Sequence, residues 1–288
     1  MTTTHDRPGP TTRARVREVT PGGARDRRDD LATEEPLEIR VQAGAGPAAP
    51  RRTVAITMRT PGADFELAAG FLYAEGVARP GDIAAIGYCT DEDVPPEARY
   101  NTVTVRLEAS ALPELPQLDR HFLTSSACGV CGTASIDALR ARRLPPLPPP
   151  GGEPIAPEVL YSLPERLRAA QSVFGKTGGL HAAALFDRTG SLVATREDVG
   201  RHNALDKLAG WALLGGRLPL AGHVLLVSGR TSYEIVQKAL VAGAPVVCGV
   251  SAPSSLAVGL AAEFGMTLIG FLRGERFNIY AGHERVAV

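Results

Sequence analysis

Two cysteines three residues apart carry the strongest chemical signal in the sequence. Cys128 and Cys131 lie in the segment 125–132, SSACGVCG, where a glycine follows each cysteine. Glycine permits a tight turn with accessible sulfur atoms, and a helix predicted to start near Thr133 would direct its positive end at them. Such surroundings lower the pKa of a thiol and favour the nucleophilic thiolate. The pattern predicts a thiolate that can hold a sulfur atom as a persulfide, with a second thiol to assist its release.

Other uses of a C-x-x-C pair stay open at this point. The pair is also typical of half a zinc site and of a thioredoxin-like redox centre. Structural zinc needs two further ligands, which His121, Cys89 and Cys248 could supply, but none of these belongs to a second paired motif. Cys89 and Cys248 lie in or beside apolar strands, where buried thiols are common, so we expect both to be structural. We expect no metal of the protein's own.

Two segments resemble known motifs but lack a required residue. The tripeptide GKT at 175–177 ends like a phosphate-binding P-loop, but Ala170 occupies the position of the first glycine. His181 could open the H-x-E motif of zinc deaminases, but Ala183 replaces the glutamate that moves protons. We therefore predict neither ATP hydrolysis nor deamination, and we expect His181 to be structural or to line a site.

Charges of both signs crowd the segment 196–207, between a predicted strand and a predicted helix. One interpretation is the solvated start of a helix. The other is a polar cleft, in which Asp198 caps the helix while Arg201 and His202 face an anion near its amino terminus. The sequence leaves both interpretations open.

The composition indicates an ordinary globular protein. Of 288 residues, 44% are hydrophobic, and 31 basic residues balance 31 acidic ones, so we expect no nucleic-acid partner. The first residues contain no apolar run from which a signal peptide or membrane anchor could form. We expect a cytoplasmic protein, in which four cysteines serve chemistry and not a disulfide framework.

Hydrophobic periodicity divides the chain into two predicted lobes. Residues 1–35 contain no aromatic side chain of the Phe, Trp or Tyr type and are predicted to form a disordered tail. Residues 36–143 are predicted to form a smaller α+β lobe that includes the cysteine loop. The proline-rich segment 144–157 is the predicted linker. The predicted elements of the first lobe are strands at 37–42, 53–60 and 101–107 and a helix from Asp64.

Beyond the linker, strand-like and helical runs alternate through residues 158–288. This alternation is typical of an α/β layer domain with a mostly parallel sheet. Ligands of such domains bind beyond the carboxyl ends of the strands. The polar loops predicted to gather there are 228–232, 251–255 and 273–276.

Several separated segments together resemble the FdhD family of formate dehydrogenase accessory sulfurtransferases, from about residue 36 to the carboxyl terminus. The order and number of these segments make a chance resemblance improbable. Besides the cysteine loop, they are TPG at 60–62, ELAAGFL at 66–72, TGGLH at 177–181, the run at 197–207, SGR at 228–230, FLRG at 271–274 and FNIY at 277–280.

The resemblance implies a sulfur carrier that accepts sulfur from a cysteine desulfurase. It implies transfer to the molybdenum of bis(molybdopterin guanine dinucleotide), the cofactor of formate dehydrogenase, which is bound as a substrate. The persulfide would form on Cys128, with Cys131 as its assistant. The cofactor would be bound by Phe271, Leu272, Arg273, Gly274, Glu275 and Arg276.

The resemblance also implies a homodimer and a cytidine-deaminase-like fold for the carboxyl-terminal domain. One alternative stays open, a non-catalytic chaperone that binds molybdopterin or a nucleotide. Its cysteines would hold zinc or stabilise a loop.

Overall fold

The computed structural model describes most of the chain. The described residues are 7–46, 48–89, 100–112, 139–140, 144, 147–149 and 153–288. The predicted catalytic pair, Cys128 and Cys131, lies outside them, as does most of the helix predicted to follow it.

The described part of the chain is built of strands and helices, most of which were predicted from hydrophobic periodicity. The strands are β1 Thr11–Thr20, β2 Gly23–Ala32, β3 Glu35–Ala43, β4 Arg51–Arg59, β5 Ile83–Tyr88, β6 Thr102–Leu107, β7 His181–Phe186, β8 Leu192–Asp198, β9 Val224–Val227, β10 Val246–Gly249, β11 Thr267–Arg273 and β12 Arg276–Ala281. The helices are α1 Asp64–Ala74, α2 Pro157–Ala170, α3 Ser172–Thr177, α4 Arg201–Leu214, α5 Tyr233–Val241 and α6 Ser255–Glu263, followed by a 3-10 turn at His283–Arg285. Strands β1, β2, β5 and β12 were not predicted.

A four-stranded sheet with the order β4-β3-β6-β5 forms the amino-terminal part of the fold. β3 and β4 are the predicted antiparallel hairpin, and β3 also pairs parallel with β6. Alternate side chains of β3 point to the same face, where Leu37, Ile39 and Val41 are fully buried. Leu67 and Leu72 of α1 pack on that face. The helix from Asp64 is therefore held by the apolar face that the alternation predicts.

A six-stranded sheet with the order β12-β11-β10-β9-β7-β8 forms the second part. β9, β10 and β11 are parallel, whereas β7, β8 and β12 run antiparallel to their neighbours. The prediction of a mostly parallel sheet is therefore wrong, because the sheet is mixed. The turns at 187–191 and 274–275 are too short for the crossover that a parallel pair requires.

Helices cover both faces of this sheet. α4, α5 and α6 pack on one face and α2 on the other. Neighbouring residues of β9 therefore point to opposite faces. Leu225 lies in the apolar cluster with α4, α5 and α6, and Leu226 lies in the cluster with α2. A strand buried on both faces reads as a continuous apolar run, as VLLV does here.

A β-hairpin occupies much of the segment that was predicted to be disordered. β1 and β2 pair antiparallel over their full length, from Thr11 opposite Ala32 to Thr20 opposite Gly23. Most of their side chains are exposed, as the lack of aromatic residues suggests. The prediction of disorder is wrong, because the two strands order each other through backbone pairing along their full length. Exposed cross-strand ion pairs, such as that of Arg17 with Asp26 at 2.8 Å, add little to this order. Composition does not report backbone pairing.

The predicted linker is packed against the second part of the fold where it is described. Ile155 is buried and pairs with Val286 as a parallel bridge. The Arg285 guanidinium donates to the Pro148 carbonyl at 2.7 Å. α2 begins at Pro157, a residue that suits the first turn of a helix. The described linker residues before Pro157 belong to no helix or named strand, and the apolar side chain of Ile155 among them is buried.

Two glycines allow the two parts of the fold to meet closely. α1 crosses α4 where Gly70 faces Gly210. A Cβ atom on Gly70 would lie 1.8 Å from the Asp206 carbonyl oxygen, and one on Gly210 would lie 1.8 Å from that of Glu66. Any larger residue must therefore push the helices apart. Within the described residues, no helix is long and apolar enough to cross a membrane.

Gly70→Ala and Gly210→Ala should each lower the free energy of unfolding by at least about 1–3 kcal/mol, because the added methyl group overlaps backbone atoms. Gly259→Ala is the matched control, since Gly259 lies in α6 with open space around its Cα. It should stabilise the protein by about 0.5–1 kcal/mol through helix propensity. Urea unfolding measures all three, and wild-type stability of Gly70→Ala would contradict the close helix contact.

Candidate functional site

The loops at the carboxyl ends of β9 and β10 meet as predicted. The Thr231 N–H donates to the Ala252 carbonyl at 3.2 Å, and the Ser254 N–H donates to the Thr231 carbonyl at 3.0 Å. The Phe271 N–H then donates to the Ser251 carbonyl at 3.1 Å, which brings β11 to the same edge. This edge of the six-stranded sheet is the candidate site, because ligands of open α/β sheets bind there.

Phe271 has an unusual backbone conformation in the predicted cofactor segment. Its φ is 53°, in the left-handed region that bulky residues rarely adopt, and the β11–β12 register shifts between Gly270 and Arg273. The Arg273 guanidinium lies 5.4 Å from the centroid of the half-buried Phe271 ring. Strained residues of this kind cluster at functional sites.

The six predicted cofactor residues differ in what they can contact. Leu272 is fully buried in the apolar core, so it holds the strand in place and offers no surface to a ligand. The side of the turn that faces solvent is formed by Arg273, Gly274, Glu275 and Arg276. Phe271 and the two arginines therefore remain as groups that could stack on a base or pair with phosphate.

The charged segment 196–207 connects the two parts of the fold. The Asp198 carboxylate is fully buried and lies 2.7 Å from the Lys207 ammonium. It accepts hydrogen bonds from the Thr60 N–H at 3.1 Å and from the Asn203 amide at 3.0 Å, and Lys207 donates to the Thr60 carbonyl at 2.8 Å. The solvated helix start is therefore wrong for these residues. Asp198 was also predicted to cap α4. Its carboxylate instead accepts a hydrogen bond from the N–H of Gly200, the residue just before the helix.

Two further charges of this segment also have structural roles. The Arg196 guanidinium donates to Glu66 of α1 at 2.7 Å. The Glu197 carboxylate accepts from the backbone N–H groups of Val173 and Phe174, at 3.0 and 2.7 Å, in the first turn of α3. Sequence reasoning missed these contacts, because the partners are more than 20 residues away along the chain.

Arg201 and His202 lie with His181 at the carboxyl end of β9. The His202 Nε2 atom is 2.9 Å from the Glu234 carboxylate and 3.2 Å from the Ser232 hydroxyl. This hydrogen bond lowers the pKa of Glu234. Burial, followed by the charges of Arg201 and His202, lowers the pKa of His181, so its ring is neutral at neutral pH. Ser232 belongs to the predicted 228–232 loop, whereas sequence reasoning did not identify Glu234, two residues beyond that loop.

Cys89 and Cys248 are both buried, as the structural interpretation predicts. Burial raises the pKa of Cys248 well above the usual range, so its thiol is not a nucleophile at neutral pH. In the described ranges, no three His, Cys, Asp or Glu side chains converge as metal ligands would. Cys128, Cys131 and His121 all lie outside those ranges.

Comparison with known proteins gives concordant results. A model of the FdhD/NarQ family matches residues 32–287. The sulfur carrier protein FdhD of Streptomyces avermitilis is 52% identical over 280 residues, which is 96% of each chain, and that of Streptomyces coelicolor matches to the same extent. The protein of the same name from Nocardia farcinica is 48% identical over 277 residues, covering 96% of this chain and 95% of its own.

A solved structure has the same overall fold. It comes from Desulfotalea psychrophila and was described as a candidate formate dehydrogenase accessory protein. It superposes with a TM-score of 0.70 at 23% sequence identity, covering 96% of this chain and 99% of the other. At this identity the likeness shows a shared mixed α/β fold. The cytidine-deaminase likeness of residues 158–288 stays a prediction.

Asp198→Ala should lower the free energy of unfolding by about 3–5 kcal/mol, because it leaves the Lys207 ammonium buried without its partner. Asp26→Ala is the control, since it breaks the exposed pair with Arg17 in the hairpin and should have no measurable effect. Chemical denaturation compares the two variants. Equal, small effects would show that the buried pair does not hold the junction.

Proposed function

Because the chain belongs to the FdhD/NarQ family, we propose that it carries sulfur for the maturation of a formate dehydrogenase. The observation that carries this proposal is the similarity, over nearly the full chain, to relatives named sulfur carrier protein FdhD. The C-x-x-C segment supplies the chemistry. The proposal includes a cytoplasmic homodimer that receives sulfur from a cysteine desulfurase.

The first step is transfer of a sulfur atom to Cys128. The Cys128 thiolate attacks the outer sulfur of a persulfide on the desulfurase. A new sulfur–sulfur bond forms on Cys128 while the bond in the donor breaks, and the desulfurase cysteine leaves as a thiolate. Cys128 then carries the sulfur as a persulfide, and no net oxidation or reduction takes place.

The second step is release of the sulfur towards molybdenum. The Cys131 thiolate attacks the inner sulfur of the Cys128 persulfide, which forms a disulfide and expels the outer sulfur as hydrosulfide. The two thiols supply the two electrons that convert this sulfur to the sulfide level. Hydrosulfide is a ligand that the molybdenum of the substrate can take up. A dithiol reductant of the cell then returns both cysteines to thiols.

The substrate in this proposal is the molybdenum-bound bis(molybdopterin guanine dinucleotide), bound by the segment 271–276. Its guanine bases offer flat faces and its pyrophosphates carry negative charge. Phe271 presents a ring next to Arg273 in a strained turn, and Arg276 lies on the exposed side of the same turn. The chain has no net charge, so attraction of the substrate must come from such local groups.

Cys128→Ala should abolish persulfide formation on the protein and the maturation of formate dehydrogenase, because the thiolate is both acceptor and carrier. Cys131→Ala should still load sulfur but release less of it. Cys89→Ala is the control from the same chain and should load normally. The measurement is persulfide content after incubation with a cysteine desulfurase and cysteine. Normal loading of Cys128→Ala would reject the assignment.

A further inference from the structure

We propose that Arg201, His202 and His181 form a second anion site, which binds a phosphate group at the carboxyl end of β9. The proposal deepens the proposed function and rests on it for the physiological ligand, since a guanine dinucleotide carries phosphates. The site itself rests on the geometry of these three side chains.

Strand pairing brings His181 and Arg201 together. β7 runs antiparallel to β9, so its first residue, His181, lies beside the last residues of β9. The Ser228 N–H donates to the Ala182 carbonyl at 2.9 Å, and the Ala182 N–H donates to the Ser228 hydroxyl at 2.8 Å. A Cβ atom on Gly229 would lie 3.5 Å from the His181 ring and 3.8 Å from the Arg201 Cδ atom. The glycine thus leaves open the space between the two side chains.

Arg201 differs from the other buried or half-buried cations of this region. Lys207 pairs with Asp198 and Lys238 pairs with Asp206, each at 2.7 Å. Arg201 has no ion pair within the described residues, and its buried Nε atom has no hydrogen-bond partner there. A buried donor without a partner requires an explanation, and a bound anion supplies one.

The neighbouring groups favour an anion over a cation. The Glu234 carboxylate contacts His202 at 2.9 Å and forms no ion pair with Arg201 in the described structure, although the charges of Arg201 and Glu234 interact over a longer distance. The neutral ring of His181 can donate a hydrogen bond without adding a charge. α4 is 14 residues long and begins at Arg201, and its N-cap residue, Gly200, offers no capping side chain. The positive end of the α4 dipole therefore adds to the positive potential around Arg201.

A second polar group without a partner lies at the same edge of the sheet. Thr231 is fully buried, and its hydroxyl has no hydrogen-bond partner in the described structure. A Cβ atom on Gly249 would lie 2.3 Å from this hydroxyl and 3.4 Å from the Gly229 carbonyl oxygen. The unpaired hydroxyl thus lies next to Gly249, the last residue of β10, which is also close to the Gly229 backbone.

The cluster of Arg201, His202 and His181 and the segment 271–276 lie close enough for one nucleotide to contact both. The first lies at the end of β9 and the second at the end of β11, with only β10 between them. Two strand spacings amount to about 10 Å. A nucleoside diphosphate spans this distance, so its base could lie at Phe271 while its phosphates reach Arg201.

The test is calorimetric titration of the full-length protein with GDP, inorganic pyrophosphate and guanosine. Arg201→Met keeps the aliphatic stem and removes the charge, and should weaken GDP and pyrophosphate binding at least tenfold. Guanosine binding should not change. Arg273→Ala combined with Arg276→Ala should also weaken GDP binding at least tenfold. Arg79→Met, at an exposed position in the other part of the fold, is the matched control and should bind all three like the wild type.

Unchanged GDP and pyrophosphate affinity in Arg201→Met would overturn the proposal. Tighter binding of GDP than of pyrophosphate would identify a nucleotide as the phosphate source, and equal affinities would identify the free anion. Arg201→Lys keeps the charge and should bind more tightly than Arg201→Met. Equal affinities of these two variants, with wild-type melting temperatures, would reject the role of the charge.

Sulfur loading of the wild type is an independent readout. Its absence would reject the sulfur-carrier function, while the phosphate titrations would still decide on the Arg201 site.

Discussion

The buried ion pair between Asp198 and Lys207 fixes the junction on which the rest of the structure depends. It lies where the end of β4 meets the start of α4, and both partners also bond to the backbone of Thr60. The glycine contact between α1 and α4 lets this junction close, because any Cβ atom there would overlap a carbonyl group. Removing one charge would leave the other buried in a medium that solvates it poorly. The two sheets are thus held by a few interactions that tolerate little change.

The junction and the candidate site share one segment. Asp198, the last residue of β8, and Lys207, in α4, face the first sheet. Arg201 and His202, the first residues of α4, lie at the carboxyl end of β9. Arg201 lies between Asp198 and Lys207 in the sequence, so its position depends on their ion pair. A polar run that looks like a single motif in the sequence serves packing through Asp198 and Lys207, while Arg201 is the residue that our phosphate proposal assigns to a ligand. Arg201 has no ion pair in the described structure, so a protein without net charge can still place a positive charge at this edge.

Local patterns predicted the elements well, and long-range contacts explain what they missed. The alternation of Leu37, Ile39 and Val41 predicted β3, and the polar loops at 228–232 and 251–255 do meet at one edge. The β1–β2 hairpin was missed because cross-strand pairing leaves little trace in composition. The antiparallel direction of β7 depends on partners distant in sequence, and the left-handed backbone of Phe271 has no signal in residue type. The roles of Cys128 and Cys131 stay a prediction, since they depend on chemistry and family and lie outside the described residues.

Intact-mass spectrometry of the wild-type protein, with zinc analysis of the same sample, separates a sulfur carrier from a zinc-holding chaperone most directly. The protein is first incubated with a cysteine desulfurase and cysteine. A sulfur carrier should gain about 32 Da for each sulfur atom, lose that mass on treatment with a thiol reductant, and contain no stoichiometric zinc. An unchanged mass together with one zinc ion per chain would contradict the account and favour the chaperone.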